Sequence, residues 1–287
     1  MTPAQNRKGA ALMVLAMAAF ALEDALFKSA TQLVPPAIAL MGFGGLGILT
    51  FAGAALIRRQ RPLPRLTRGL LIRSGIELAG RLFYSLALAF TGLGLTSAIL
   101  QATPLVVVAG AVFLFGETVG WRRWSAIAVG FVGVILVLRP TGDATDPALL
   151  FAVLGMLGFA GRDLATRAAP LTVTNAQLGV LGMMVLTLAG VVVQVAMGTP
   201  IALPGPEAAL RIAATALTGV IAYAALTQAM RSGEVSVVTP FRYTRLVFAL
   251  ILAALMFGEV PDLPMIVGSL LIVGSGLFTL ARARRMV

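Results

Sequence analysis

The chain has 287 residues, 59% of them hydrophobic and 11% charged, with a formal net charge of +11. Ordinary soluble domains carry roughly a quarter charged residues, so this chain cannot cover a water-facing surface, and lipid must be its main solvent. Cysteine and histidine are both absent, which excludes disulfides, thiolate metal sites and the usual near-neutral proton carrier.

In chain order, breaks at Pro, Gly and charge clusters divide the sequence into ten apolar spans. Their limits are 9–30, 36–57, 70–91, 95–115, 121–138, 147–169, 174–196, 208–230, 235–257 and 262–281. Segments of about 20 apolar residues cross a bilayer as helices. The alternating ten-residue segments of a β-barrel are absent. The polar start Met1–Lys8 precedes a long apolar run with no small-residue cleavage site after it, so the first span is read as a retained helix. The connections are short, which makes sequential helices antiparallel neighbours.

Ionisable residues inside spans cost about 2.5–3.5 kcal/mol each on insertion scales. Each therefore needs a partner, a watery cavity or a task. Span 1 carries Glu23, Asp24 and Lys28, with Asp24 and Lys28 four apart on one helical face. Span 3 holds Glu77 and Arg81, also four apart, and Tyr84. At 1.5 Å per residue from Leu70, Arg81 lies roughly 16 Å into a core of about 30 Å. Span 4 has the amide Gln101, followed by Pro104. Span 6 repeats the first device with Asp163 and Arg167 and adds Arg162.

Span 8 contributes Tyr223 and the amide Gln228. Span 9 contributes Pro240, Arg242, Tyr243 and Arg245, the two arginines three apart on one face. The prolines leave backbone carbonyls unpaired, as kinks or acceptors. The glycines of spans 2 and 6 (Gly42, Gly44, Gly45, Gly47, Gly155, Gly158, Gly161) suit close helix packing. Glu117 and Glu259 recur at helix ends and read as structural.

Lys and Arg set orientation. One side collects Arg7, Lys8, Arg58, Arg59, Arg61, Arg65, Arg68, Arg122, Arg123, Arg167, Arg231 and the tail arginines. The other has Lys28, Arg139 and Arg211. Both termini are expected in the cytoplasm. The net positive charge thus reads as a topology signal, and no nucleic-acid partner is expected.

The chain also resembles itself. A shift of 139 residues places Phe20, Ala21, Asp24 and Lys28 on Phe159, Ala160, Asp163 and Arg167, and Tyr84 on Tyr223. With three residues of drift, Phe115-Gly116-Glu117 meets Phe257-Gly258-Glu259. Two five-span halves, 1–140 and 141–287, must be inserted in opposite senses. Such inverted repeats mark alternating-access carriers, with substrate held between the halves.

Further motifs carry a family resemblance. They are Phe115-Gly116-Glu117, Trp121-Arg122-Arg123-Trp124, Gly130-Phe131-Val132-Gly133, Leu138-Arg139-Pro140, Thr239-Pro240-Phe241-Arg242-Tyr243 and Phe257-Gly258-Glu259-Val260-Pro261-Asp262. Over essentially its whole length the chain resembles the ten-helix EamA-type members of the drug/metabolite transporter superfamily. The resemblance implies an all-α membrane protein with a central cavity lined by helices 1, 3, 4, 6, 8 and 9, and a bacterial inner-membrane location.

On that footing the expected substrate residues are Arg81, Tyr84, Gln101, Tyr223, Gln228, Arg242, Tyr243 and Arg245. A surplus of guanidinium groups fits a carboxylate or phosphate in two-pronged geometry. The alternative is a closed ion-pair network. Glu23, Asp24, Lys28, Glu77, Arg162, Asp163 and Arg167 are expected as ion-pair or gating residues, with Asp24–Lys28 and Asp163–Arg167 closing opposite mouths. The alternative is structural pairs near the headgroups.

The expected function is transport of an amino acid or related zwitterionic or anionic solute. A multidrug or organic-cation exporter is the second reading, and a membrane-embedded enzyme or a channel is the rival class. The expected partners are a small-molecule substrate and the lipid bilayer. No metal or cofactor is expected, and a monomer suffices, with a dimer possible.

Overall fold

A computed structural model of the chain describes residues 3–115, 121–138, 147–167, 172–198, 203–232 and 239–283. All regular structure among the described residues is helical. The order is α1 (Pro3–Thr31), α2 (Pro36–Ile57), α3 (Arg68–Phe90), α4 (Leu93–Leu100), α5 (Thr103–Phe115), α6 (Trp121–Leu138), α7 (Pro147–Arg167), α8 (Asn175–Met197) and α9 (Pro206–Ser232). A 3-10 turn at Thr239–Tyr243 then leads into α10 (Thr244–Phe257), and α11 (Leu263–Ala283) follows.

Local chemistry explains the boundaries. Pro36 opens α2, where its missing N–H belongs to a group that is unpaired anyway. Thr67 caps α3 by accepting from the Leu70 amide at 3.4 Å. Thr174 and Gln177 form a reciprocal capping box at α8, with bonds of 3.3 and 3.0 Å. Gly258, at φ 65°, ends α10 in the left-handed region that favours glycine.

Two expected spans are interrupted. Residues 95–115 divide into α4 and α5 around a turn at Gln101-Ala102, and within 235–257 the described residues begin with the 3-10 turn at Thr239–Tyr243 before α10. Proline explains both. Neither Pro104 nor Pro240 has an N–H to donate to a preceding turn, and the Pro104 ring would clash with the carbonyl four residues back in a continuous helix. The breaks place Gln101, Thr103, Arg242 and Arg245 beside irregular backbone in the interior, where such backbone is tolerated only if protein or a cavity surrounds it.

Helices pack in partnered sets: α1 on α9, α2 on α8, α3 on α7, and α6 on α11. Smaller contacts join α1 to α10, α3 to α8, α2 to α9, and α7 to α5 and α4. The α3–α7 crossing depends on glycine. A Cβ on Gly80 would lie 3.0 Å from the Gly158 carbonyl carbon, and one on Gly155 would lie 2.8 Å from the Tyr84 amide. Backbone meets backbone there, as close membrane helix packing requires.

Large apolar side chains face outward around the bundle, including Leu49, Ile57, Val195, Leu210 and Leu255. Four helical segments meet a strict length and apolarity requirement for spanning: Arg7–Thr31, Pro36–Ile57, Asn175–Met197 and Pro206–Ala229. Charge turns inward instead: Glu23, Asp24, Arg73, Glu77 and Arg81 are all buried. An apolar exterior around a charged interior inverts the arrangement of a water-soluble protein.

Candidate functional site

Where α1, α3, α7 and α10 converge, helical spacing delivers their polar side chains to one place. Phe20, Glu23 and Asp24 share a face of α1, and Arg81 and Tyr84 share one of α3. With Gln101 and Thr103 from the α4–α5 break, Phe159 and Arg162 from α7, and Arg242 and Arg245, they line a cavity of about 60 Å³. Met17, Leu100 and Leu226 complete its wall.

Asp24, Arg245 and Tyr84 form a small three-membered network. The Arg245 Nη2 donates to Asp24 Oδ2 at 2.6 Å, and the Tyr84 hydroxyl donates to the same oxygen at 3.0 Å. Arg245 Nη2 also reaches the Tyr84 hydroxyl at 3.2 Å. Beside it, Arg81 Nη1 stands 3.7 Å from Glu23 Oε1. Aromatic faces support the cations: Arg245 lies 5.1 Å from the centroid of Phe20, and Arg162 lies 5.1 Å from that of Phe159. Cations over rings keep part of their stabilisation away from water.

A second cluster lies behind the cavity. Glu77, fully buried, takes Arg73 Nη1 at 3.3 Å and Arg162 Nη1 at 3.6 Å. Tyr223 joins it, with its hydroxyl 3.5 Å from Arg73 Nη2 and donating to the Leu178 carbonyl at 3.2 Å. A third cluster lies at the far end of α1. Lys28 donates to the Thr91 carbonyl and stands 3.9 Å from Glu259 Oε1. Glu259 also accepts from the Leu93 and Gly94 amides at 3.0 and 3.1 Å, capping α4. Its carboxylate meets the unpaired donors of a helix start, where negative charge is favoured.

Several expected pairings are therefore exchanged. Asp24 pairs with Arg245 in place of Lys28, and Lys28 reaches Glu259. Arg81 pairs with Glu23 in place of Glu77, which takes Arg73 and Arg162. The physical reason is common to both: a side chain directed inward finds a facing helix closer than its own neighbour four residues on. Glu259, read as a simple helix-end residue, bridges α1, α4 and α10.

Of the expected substrate residues, Arg81, Tyr84, Gln101, Arg242 and Arg245 line the cavity. Tyr223 belongs to the Glu77 cluster. Tyr243 is 4% exposed and lies off the cavity wall. Gln228 is exposed, which corrects its expected place on the cavity wall; it lies on the outward face of α9, whose buried face is Ala222, Ala225 and Ala229. Of the expected gating residues, Glu23, Asp24 and Arg162 line the cavity. The side chains of Asp163 and Arg167 lie outside the described residues, as do Glu117 and Arg139.

Arg73, Phe20, Phe159 and Thr103 are contributors that the sequence reading does not assign to the site. Arg73 was signalled by its position four residues before Glu77. Phe20 and Phe159 were signalled by meeting each other in the internal repeat, ahead of any assignment to a cavity wall.

Comparison with known proteins places this geometry in a family. The pattern described as the EamA-like transporter family matches residues 7–139 and again 147–281. The chain is 30% identical to a riboflavin transporter of Rhizobium johnstonii, over 99% of this chain and 94% of that one. It is 27% identical to an S-adenosylmethionine uptake transporter of Rickettsia prowazekii, over 81% and 76% of the two chains. A pseudopaline exporter of Pseudomonas aeruginosa is 25% identical over 93% and 94%. A solved crystal structure shares the fold at a TM-score of 0.71 and 20% identity, covering 100% of this chain and 99% of its own.

Proposed function

Because this chain belongs to the EamA-like transporter family, we propose that it carries an amino acid or related zwitterionic or anionic metabolite by alternating access. A multi-pass membrane transporter of small molecules is the family's common ground. The observation that carries the finer reading is the charge inventory of the cavity. Four guanidinium groups, on Arg81, Arg162, Arg242 and Arg245, line the cavity with two carboxylates, on Glu23 and Asp24, and Arg162 also reaches Glu77 behind it. Guanidinium groups that line a cavity away from bulk water offer a solute carboxylate charge-assisted pairs.

The protein acts as ten transmembrane helices in two inverted halves, 1–140 and 141–287, with both termini cytoplasmic. The packing pattern supports the halves. The contact of α1 with α9 corresponds to that of α7 with α3, and α2 with α9 corresponds to α8 with α3. Contacts of α1 with α10 correspond to those of α7 with α4 and α5. The family pattern also falls twice along the chain. The positive-inside bias of the loops supports the orientation.

Closure then belongs to the two outer clusters. Lys28–Glu259 shuts the extracellular end, and Glu77 with Arg73 and Arg162 shuts the cytoplasmic end. Pockets for drug-sized ligands run to about 300–1,000 Å³, so a cavity of about 60 Å³ must widen to admit a metabolite. An organic-cation exporter is the second reading, favoured by the aromatic faces of Phe20, Tyr84 and Phe159 beside two buried carboxylates.

A binding screen on the purified protein separates them. Thermal-shift titration with amino acids, nucleosides, cofactors, organic acids and cationic drugs should give stabilisation by carboxylate-bearing solutes. Arg81→Gln and Arg242→Gln should each weaken it about tenfold or more, the size of a lost charge-assisted pair. Stabilisation by cations alone, unchanged in both variants, would support the exporter instead.

A further inference from the structure

The buried carboxylates are not equivalent. Asp24 Oδ2 receives both Arg245 and Tyr84. Glu77, whose two oxygens lack a hydrogen bond among the described residues, sits between Arg73 and Arg162 but lies off the cavity wall, out of a solute's reach. Glu23 is 5% exposed and lines the cavity, yet its only ion pair among the described residues is the 3.7 Å contact from Oε1 to Arg81. That distance exceeds the 2.7–3.2 Å range of an N–H···O hydrogen bond. Its second oxygen, Oε2, is buried with no hydrogen-bond donor among the described residues.

The neighbouring helix leaves room for this carboxylate. A Cβ on Gly219 of α9 would stand 3.2 Å from Glu23 Cδ and 2.5 Å from the Phe43 ring. Any larger residue there would press on the carboxylate. A buried carboxylate oxygen lacking a donor is unfavourable unless a ligand or another group supplies one.

A charge argument selects the donor. A solute carboxylate that engages Arg81 competes with Glu23 for its loosely held cation. A plain anion would then leave Glu23 buried and uncompensated, which is costly. A zwitterion avoids this, since its carboxylate takes Arg81 while its ammonium replaces Arg81 at Glu23. Charge balance is preserved throughout.

We propose that Glu23 is the cation-reading residue of the cavity, taking the ammonium of a zwitterionic solute and selecting it over the matching simple carboxylate. The proposal rests on the reading of the cavity as the solute site. It makes Glu23 a specificity residue and leaves Asp24 to organise Arg245 and Tyr84.

The test uses the full chain in lipid nanodiscs at neutral pH. The probes are the common α-amino acids, each paired with the carboxylic acid that lacks its amino group, titrated against wild type and Glu23→Gln. Wild type should prefer the amino acid of a responding pair by about tenfold or more. Glu23→Gln should erase that preference, weakening the amino acid while holding or tightening the simple acid. The retained acid binding shows that the variant is folded.

Equal weakening of both probes, or an unchanged preference, would overturn the assignment and leave the carboxylate-carrier reading intact. So would wild-type binding of simple acids with no preference for amino acids. Binding of neither probe class to wild type would bring down the underlying reading and this proposal with it.

Discussion

Asp24 lies four residues before Lys28, yet its partner is Arg245, 221 residues away in the chain. The arrangement makes each member dependent on the others. Arg245→Met would strand Asp24 in the interior, and removing one partner of a buried pair costs about 3–5 kcal/mol. Thermal unfolding in detergent should show that loss, and adding Asp24→Asn should recover a substantial part of it. Strictly additive losses in the double variant would mean that the two side chains are not energetically coupled.

At this scale the sequence is informative about which charges the fold buries together and poor at pairing them. Intramembrane charge alone singled out Glu23, Asp24, Glu77, Arg81, Arg162 and Arg245, since each is expensive in lipid without a role. Spacing of four proposed partners within a helix, because that is the only geometry one sequence reveals. The partners of Asp24, Lys28 and Arg81 come from other helices, and only packing brings those together. Arg73 is the reverse case, an intrahelical partner at the expected spacing that went unread.

Among the elements, α4 and the end of α10 form the most informative junction. Gly258 turns the chain in the left-handed region, and Glu259 then reaches both the α4 amides and Lys28. Loss of a helix cap costs about 0.5–2 kcal/mol, and a partly exposed ion pair adds up to about 1 kcal/mol. At about 1–2 kcal/mol within that range, Glu259→Gln should loosen the end that the proposed topology places outside by roughly five- to thirtyfold in population.

The absence of native cysteine allows a clean readout. A single Thr103→Cys on the cavity wall should react faster with an impermeant maleimide from the outside in the Glu259→Gln background. An unchanged rate, or acceleration only from the cytoplasmic side, would show that this junction does not control that mouth. The sequence located the helix ends well, since Pro36, Thr67, Thr174 and Gly258 act through local geometry. It did not disclose that α4 stops short of a full span, because a proline in an apolar run is compatible with either a kink or a break.

For the whole molecule, composition sufficed for class: a chain this apolar has only lipid to face. The proposal of two halves rests on Asp24 with Asp163 and Tyr84 with Tyr223, rare residue types in apolar helices, whose coincidence at one shift is informative. The solute was not legible, because a charge inventory defines a chemical class and the walls of a small closed cavity do not display the shape of an opened one. Relatives named for riboflavin, S-adenosylmethionine and pseudopaline share this framework at 25–30% identity. Substrate choice therefore varies on one scaffold.

The most direct test is counterflow in proteoliposomes, using the carboxylate-bearing solute that binds best and comparing wild type with Arg81→Gln. Saturable uptake by wild type that falls about tenfold or more in the variant, with protein folding and incorporation unchanged, is the expected result. Wild-type uptake that persists at full rate in Arg81→Gln would show that the arginine-lined cavity is scaffold and that the solute crosses elsewhere.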